Sequence, residues 1–319
     1  MTVGQNDLTI RPITGPEELD LFSRLSYALN KELAHDLATG RRRPEWMWVA
    51  MRGDRVLARL SWWAPHGVDT PFLLDILDVD DHSMDDNGTD RVAIAERLLR
   101  TAMAQTVPAG TRPPEYNRMI PPDWRDNETS RRVVEDRMAA LERTGARLLV
   151  ERLRFEWRPG TPVPEPGQRL RFRPVRDTEE MLSLMTLALD GTLDAHDRDD
   201  LTRMPAREAA VKHYDEELAR YRTPRDWWRV ATLPDGDPVG FVTPARNDYN
   251  AIIGYLAVLP KHRGNGYIDD VLAEGTRILT AQDVPRIRAA TDLGNTPMAA
   301  AFHRAGYTNF ERTINMTWP

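Results

Sequence analysis

Ten residues divide this chain. Arg158-Pro159-Gly160-Thr161-Pro162-Val163-Pro164-Glu165-Pro166-Gly167 holds four prolines and two glycines. Proline fixes φ and lacks the backbone donor, so the stretch suits neither a helix nor a central strand and reads as an extended, fairly stiff spacer. The pattern then restarts. Leu8-Thr9-Ile10-Arg11-Pro12-Ile13 opens the first half as a short strand, and Leu170-Arg171-Phe172-Arg173-Pro174-Val175 opens the second. Glu17-Glu18-Leu19 and Glu179-Glu180-Met181 follow at the same offset. Gly145 stands twelve residues before Trp157, and Gly306 twelve before Trp318. A repeat of about 160 residues is too long for a solenoid unit and is the size of a domain. Two similar mixed α/β domains are expected, residues 1–157 and 168–319, joined by the linker 158–167.

Within the first half, Leu19, Phe22, Leu25, Leu29 and Leu33 predict one amphipathic helix beginning near Pro16. Residues 46–51 and 56–63 flank Arg52-Gly53-Asp54-Arg55 as a hairpin. A strand at 71–79, helices near 92–103 and 130–143, a strand within 109–122 and a long strand at 146–157 complete the half. In the second half, 227–232 and 239–243 form the matching hairpin about Asp235-Gly236-Asp237.

The most chemically informative stretch is Val258-Leu259-Pro260-Lys261-His262-Arg263-Gly264-Asn265-Gly266-Tyr267. Upstream, 250–258 reads as a buried strand. Downstream, Ile268, Val271, Leu272, Gly275, Ile278 and Leu279 recur at helical spacing. Glycines in such a turn let consecutive amides converge, and the helix adds its free N–H groups and positive dipole end. This arrangement suits a phosphate or pyrophosphate. A strand at 286–290, then Thr291-Asp292-Leu293-Gly294-Asn295, then a helix at 297–304 ending in Ala305-Gly306-Tyr307 follow.

With those residues in register, the second half resembles the GCN5-related N-acetyltransferase (GNAT) family. That family's signature is a strand ending in Val-x-Pro, an Arg-Gly-x-Gly-x-Gly/Ala turn, a helix, a strand, an Asn, and a helix closing on Gly-Phe/Tyr. Val258, Pro260, Arg263, Gly264, Gly266, Asn295, Gly306 and Tyr307 carry the match. The resemblance implies two tandem GNAT-like domains, each a twisted, mostly antiparallel central sheet flanked by helices. It implies acetyl-CoA as cosubstrate and the primary amine of a small molecule as acceptor. The backbone of Leu256, Ala257 and Val258 would bind the pantetheine arm, with an oxyanion-stabilising amide near Leu256 or Ala257. Turn residues Gly264, Asn265, Gly266, Tyr267 and Ile268, with Arg263 nearby, would take the pyrophosphate, and Asn295 would bind the arm.

Two positions depart from the family pattern. Ile268 replaces the last turn glycine or alanine, and Phe302 stands where the family's tyrosine general acid belongs. Tyr255 and Tyr307 are the remaining proton donors, Tyr307 also being the family's aromatic packing position. Asp292 is the nearest candidate to deprotonate an amine, and it could equally cap the turn. Asp194, His196, Asp197, Asp199 and Asp200 fall where the family builds its acceptor pocket, and they read either as a cation-binding wall or as a solvated loop. A non-catalytic acyl-CoA-binding or scaffold protein, and a tandem acetyltransferase like mycothiol synthase, stay open as alternatives.

At the matching turn the first half carries Asp80, Asp81, Asp85 and Asp86. Carboxylates there would repel a pyrophosphate, and the first half reads as a degenerate copy. The net charge of −6 argues against a nucleic-acid partner. The absence of cysteine excludes thiolate chemistry, and seven scattered histidines give no metal-ligand spacing. No apolar run has membrane-spanning length, and residues 1–8 lack a signal core, so a cytoplasmic protein is expected, with homo-oligomer formation open.

Overall fold

The computed structural model describes residues 8–81, 89–165 and 167–319. The first seven residues, Asp85 and Asp86 of the acidic turn, and Pro166 of the linker lie outside the described residues. The chain packs as two compact units, one of residues up to Glu151 together with Thr313–Pro319, the other Arg152–Arg312.

The first unit contains β1 (Thr9–Pro12), α1 (Leu19–Phe22), α2 (Leu33–Ala38), β2 (Met47–Arg52), β3 (Arg55–Trp63), β4 (Leu73–Val79), α3 (Thr89–Thr106), β5 (Glu115–Ile120) and α4 (Glu128–Arg143). β6 (Arg147–Trp157) runs from this unit into the second. The second unit continues with β7 (Arg171–Pro174), α5 (Thr178–Ala188), α6 (Ala195–Leu201), α7 (Ala206–Glu216), β8 (Arg229–Thr232), β9 (Pro238–Arg246), β10 (Ala251–Val258), α8 (Tyr267–Thr280), β11 (Ile287–Asp292) and α9 (Thr296–Arg304). β12 (Thr308–Thr317) then returns the chain to the first unit. Among the described residues, no helix is long and apolar enough to cross a membrane.

In the first unit the strands run β1-β2-β3-β4-β5-β12, antiparallel from β1 to β4 and parallel between β4 and β5. The second unit runs β7-β8-β9-β10-β11-β6, antiparallel except for the parallel β10–β11 pair. In each unit apolar clusters cover both faces of the sheet. Residues Phe155, Ile253, Val271, Leu272, Phe302 and Tyr307 pack on one face of the second sheet, and Met181, Met185, Leu218, Trp228 and Phe241 on the other.

The amphipathic helix expected from Leu19 to Leu33 is instead broken into α1, a turn of 3₁₀ helix at Ala28–Lys31, and α2. Its carbonyls are taken by side chains. Arg59 donates to Phe22 O at 2.7 Å, and the Asn30 amide donates to Ser23 O and Leu25 O. A continuous helix would need those acceptors for its own ladder.

The last strand of each sequence repeat is divided between the units. Residues 152–157 of β6 pair with β11 from Arg152↔Asp292 to Trp157↔Ile287. Ile314, Met316 and Trp318 lie in the first unit's core, where Trp318 Nε1 donates to Thr144 Oγ1 at 3.2 Å. A chain begun at residue 168 would leave β11 an open edge and remove Phe155 from its stack on Phe302. We expect that piece to aggregate and to show no cooperative melting; a soluble, cooperatively unfolding 168–319 fragment would contradict this account.

Candidate active site

β10 and β11 pair only at Ala251↔Ile287 and Ile252↔Arg288, whereas β10 stays paired with β9 as far as Val258↔Gly240. Beyond Ile252, one edge of β10 therefore has no strand beside it. A register shift between Ile253 and Tyr255 marks Gly254 as a bulge. A Cβ on Gly254 would lie 2.8 Å from the Tyr221 ring and 3.2 Å from Thr243 O, so only glycine fits. Thr243 Oγ1 ties the bulge by accepting from Tyr255 N at 2.6 Å and donating to Tyr255 O at 3.1 Å. Leu259 N donates to Val239 O at 2.8 Å. Alternation along the strand then points the backbone of Tyr255 and Ala257 towards β9, and that of Leu256 and Val258 towards the open edge.

The turn after β10 presents bare amides. Gly264 (φ +82°) and Gly266 (φ +72°) occupy the left-handed region, and Gly266 caps α8. Asn265 Nδ2 donates to His262 O and Arg263 O, while Arg169 donates to Asn265 O at 3.1 Å and Gly266 O at 3.4 Å. The carbonyls are thus engaged, whereas the amides of Gly264, Asn265, Gly266, Tyr267 and Ile268 have no acceptor among the described residues. Acids at the start of α8 are neutralised locally, Asp269 by Arg304 and Asp270 by Arg169, each at 2.6 Å. The Arg263 guanidinium faces inward. It donates to Ala188 O (2.8 Å), Asp190 O (2.6 Å), Gly191 O (3.2 Å) and Val258 O (3.1 Å), clamping the end of α5 to the turn.

Asn295 caps α9, its Oδ1 accepting from Met298 N at 3.3 Å, and its Nδ2 has no partner among the described residues. Asp292 is buried: Oδ2 accepts from Ala195 N at 2.6 Å, and Oδ1 lies 3.1 Å from Arg152 Nε as an ion pair without a hydrogen bond. Burial and then Asp194 push its carboxyl up, against Arg152. Phe302 is wholly buried, stacked on Phe155 at 4.9 Å between centroids. Tyr307 is equally buried, its hydroxyl 2.7 Å from Thr276 Oγ1. Tyr255 lies between His213, stacked at 4.8 Å, and Phe241, edge-on at 5.1 Å. Burial, then Asp197 and Asp194, raise the Tyr255 phenol well above its usual range, and its hydroxyl has no hydrogen-bond partner among the described residues.

The acidic segment before and within α6 separates into two roles. Asp199 and Asp200 are bound by Arg203, and Asp200 also by Lys212. Asp194 caps α6 through His196 N and Asp197 N and lies 3.4 Å from Arg152. Asp197 accepts from Thr192 Oγ1 at 3.0 Å, and burial with Asp194 pushes it up to about 6. Sequence reading missed Arg152 and the residues His213, Glu217 and Tyr221 from α7 and the turn beyond it. A His–Glu pair at i,i+4 is the one local signal that could have found them. Among the described residues, no three acidic or histidine side chains are placed to hold a metal ion.

The first unit repeats this backbone but fills it. Its bulge falls at the same place in β4, at Asp75, between the Leu74 and Ile76 pairings. Asp75 takes a two-pronged ion pair from buried Arg42, which also binds Asp36. β4 and β5 likewise pair only at Leu73↔Glu115 and Leu74↔Tyr116. Arg118 of β5 crosses that gap to Leu77 O at 3.1 Å and Asp78 at 2.9 Å, and Arg59 binds Asp78 from the other side at 2.8 Å. Leu77 holds the register position of Leu256. Asp80 pairs with Arg55 and Asp81 with Arg137. A cavity of about 620 Å³ beside them is lined by Arg24, Asp54, Arg55, Asp80 and Asp81 among others.

Residues 169–308 match the family model for an acetyltransferase (GNAT) domain. The fold is similar to that of a GNAT protein from Sphaerobacter thermophilus (TM-score 0.60, 16% identity, covering 97% of this chain and 95% of that one). It is also similar to a tandem GNAT protein from the clavulanic acid biosynthesis pathway (TM-score 0.52, 16% identity, 98% of each chain). A GNAT protein from Kribbella flavida matches at TM-score 0.50 and 16% identity over 96% of each chain. No curated protein matches the sequence.

The raised Asp197 pKa makes a stability prediction. A carboxyl whose folded pKa lies above its unfolded value stabilises the fold when protonated, and that contribution is lost as pH rises through about 6. Asp197→Asn should therefore raise stability by about 1–3 kcal/mol near neutral pH, with the gain shrinking towards zero near pH 4. Denaturant midpoints at both pH values check this; a gain independent of pH would contradict it.

Proposed function

We propose that the second unit, in which residues 169–308 match the family model for a GNAT acetyltransferase domain, transfers an acetyl group from acetyl-CoA to the primary amine of a small molecule. The observation that carries this reading is the run of five bare amides, Gly264 to Ile268, directly after a strand with one open edge. Such a concavity at a helix N-terminus fits a diphosphate. No atom lies within 4 Å of a Cβ built on Gly264 or Gly266, so the backbone there is open to a ligand. Ile268 keeps its amide available, and its side chain packs on the core.

The turn amides would hold the pyrophosphate, and Arg263 shapes the turn rather than reaching for phosphate. Leu256 offers its N–H and C=O along the open edge, Val258 its N–H, and Asn295 Nδ2 a further donor. Acetyl-CoA, when bound, supplies an activated acetyl thioester. The amide of Leu256, on the open edge, would stabilise oxyanion charge. Phe302 can move no proton. Tyr255, whose raised pKa keeps it protonated, is the donor along this strand, with solvent as the alternative source. Asp292, its Oδ2 bound to Ala195 N and its carboxylate paired with Arg152, positions α6. The carboxylates of Asp194, Asp197 and Glu217 favour a cationic acceptor. We also propose that the first unit binds no acyl-CoA, because Arg118 and Asp78 occupy the cleft that a pantetheine arm would need.

Gly266→Asp should weaken acetyl-CoA binding at least about 100-fold, since a carboxylate beside a diphosphate costs several kcal/mol at intermediate dielectric. Calorimetry measures this, with circular dichroism confirming the fold. An unchanged affinity in a folded variant would place the cosubstrate elsewhere. Tyr255→Phe should lower turnover by tenfold or more if the phenol gives the proton; an unchanged rate would assign that proton to solvent.

A further inference from the structure

His213 lies on the α7 face turned towards β10. Its ring stacks on Tyr255 with the planes 26° apart. One turn later, Glu217 Oε2 lies 3.4 Å from His213 Nε2, and the Tyr221 hydroxyl donates to Glu217 Oε1. The Tyr221 ring in turn packs on the Gly254 bulge. Tyr221, Glu217 and His213 therefore form a chain of polar groups anchored to β10 at two adjacent points, Gly254 and Tyr255. Glu217 faces Nε2 at ion-pair distance without a hydrogen bond, which leaves Nδ1 as the nitrogen with no carboxylate set against it.

Resting on the acetyl-transfer reading above, we propose that His213 is the catalytic base that deprotonates the acceptor ammonium, with Glu217 as the residue that positions it and Tyr221 fixing Glu217. The ammonium nitrogen gives one proton to Nδ1. The free amine then forms a C–N bond to the acetyl carbon as the C–S bond of the thioester breaks, and the acylated nitrogen gives its second proton to solvent, leaving the neutral amide. The thiolate leaves with the electron pair and takes a proton, and His213 returns its own to solvent, so the net reaction releases one proton. The groups facing His213 are Glu217 at the C-terminal cap of its own helix, Asp197 and Asp194 from the α6 segment, and Tyr255 from β10. Arg152 acts on Glu217 and Asp194 from β6, and His196 on Asp194 and Asp197. Burial works against the imidazolium, and Glu217, Asp197 and Asp194 outweigh it. The base is therefore active above a raised midpoint, and activity falls as pH drops through it.

Two readouts on the full chain test this. In the first, ¹³C-labelled histidine is titrated by NMR, with His213 assigned by the signal missing from His213→Gln. Its midpoint should lie above about 6.5 and fall by about one pH unit in Glu217→Gln. In the second, thiol release from acetyl-CoA is followed with ethanolamine, tyramine, agmatine and spermidine as probes. His213→Gln should lose at least about 100-fold in kcat with KM for acetyl-CoA unchanged, lose the acid limb of the pH profile, and recover in part with added imidazole. Glu217→Gln should shift that limb to lower pH, and it carries the test if His213→Gln does not fold. A His213 midpoint unmoved by Glu217→Gln, or a wild-type kcat and acid limb in His213→Gln, overturns the assignment and leaves acetyl transfer standing. Wild-type protein that binds acetyl-CoA but acetylates none of the amines overturns acetyl transfer to small amines, and this assignment with it.

Discussion

β10 and β11 part after Ile252, and the chemistry proposed for the second unit depends on that separation. A strand in the middle of a sheet normally spends its main-chain groups on both neighbours, because buried N–H and C=O groups left unpaired are costly. Here β9 satisfies one edge of β10 through to Val258, while Leu256 keeps its groups on the other edge. The bulge at Gly254, tied by Thr243 and covered by Tyr221, resets the strand just before this stretch. The same few residues thus set the open edge, the place of Tyr255 and the seat of the α7 side chains.

The first unit makes the same separation and closes it from within. Arg118 answers Leu77 O directly, and Asp78 is shared by Arg59 and Arg118, with Arg137 at 4.0 Å. Burial alone would push Asp78 up; the three guanidinium groups outweigh it and hold the carboxyl below its usual range. Buried ion pairs add little net stability relative to apolar packing, but removing one partner strands a charge at a cost of about 3–5 kcal/mol. Such a network therefore locks a cleft shut more effectively than it strengthens a core. One fold, duplicated, serves once with an open strand edge and once with that edge answered by arginine.

Much of this was legible in the sequence. The duplication showed in matched hexapeptides around a proline-rich spacer, and the turn showed in Gly264 and Gly266, whose positive φ few other residues tolerate. Asp80 and Asp81 marked the first half as different, although they act through pairing with Arg55 and Arg137 rather than as bare repulsion. Long-range partners were not legible. Arg263 read as a phosphate ligand because its spacing carries no word of the α5 carbonyls that hold it. Apolar periodicity from Leu19 to Leu33 suggested one helix, yet Arg59 and Asn30 capture its carbonyls from positions that periodicity does not weigh. The exchange of last strands, and the approach of His213 to Tyr255, likewise belong to tertiary packing.

On this reading, two copies of one fold give a single acyl-CoA site, open in the second unit and filled by the protein's own ion pairs in the first. Counting acetyl-CoA bound to the full chain tests this most directly, by calorimetric titration with native mass spectrometry on the same sample. The account predicts one molecule per chain. Two per chain would show that Arg118 and Asp78 give way to a ligand, and would contradict it.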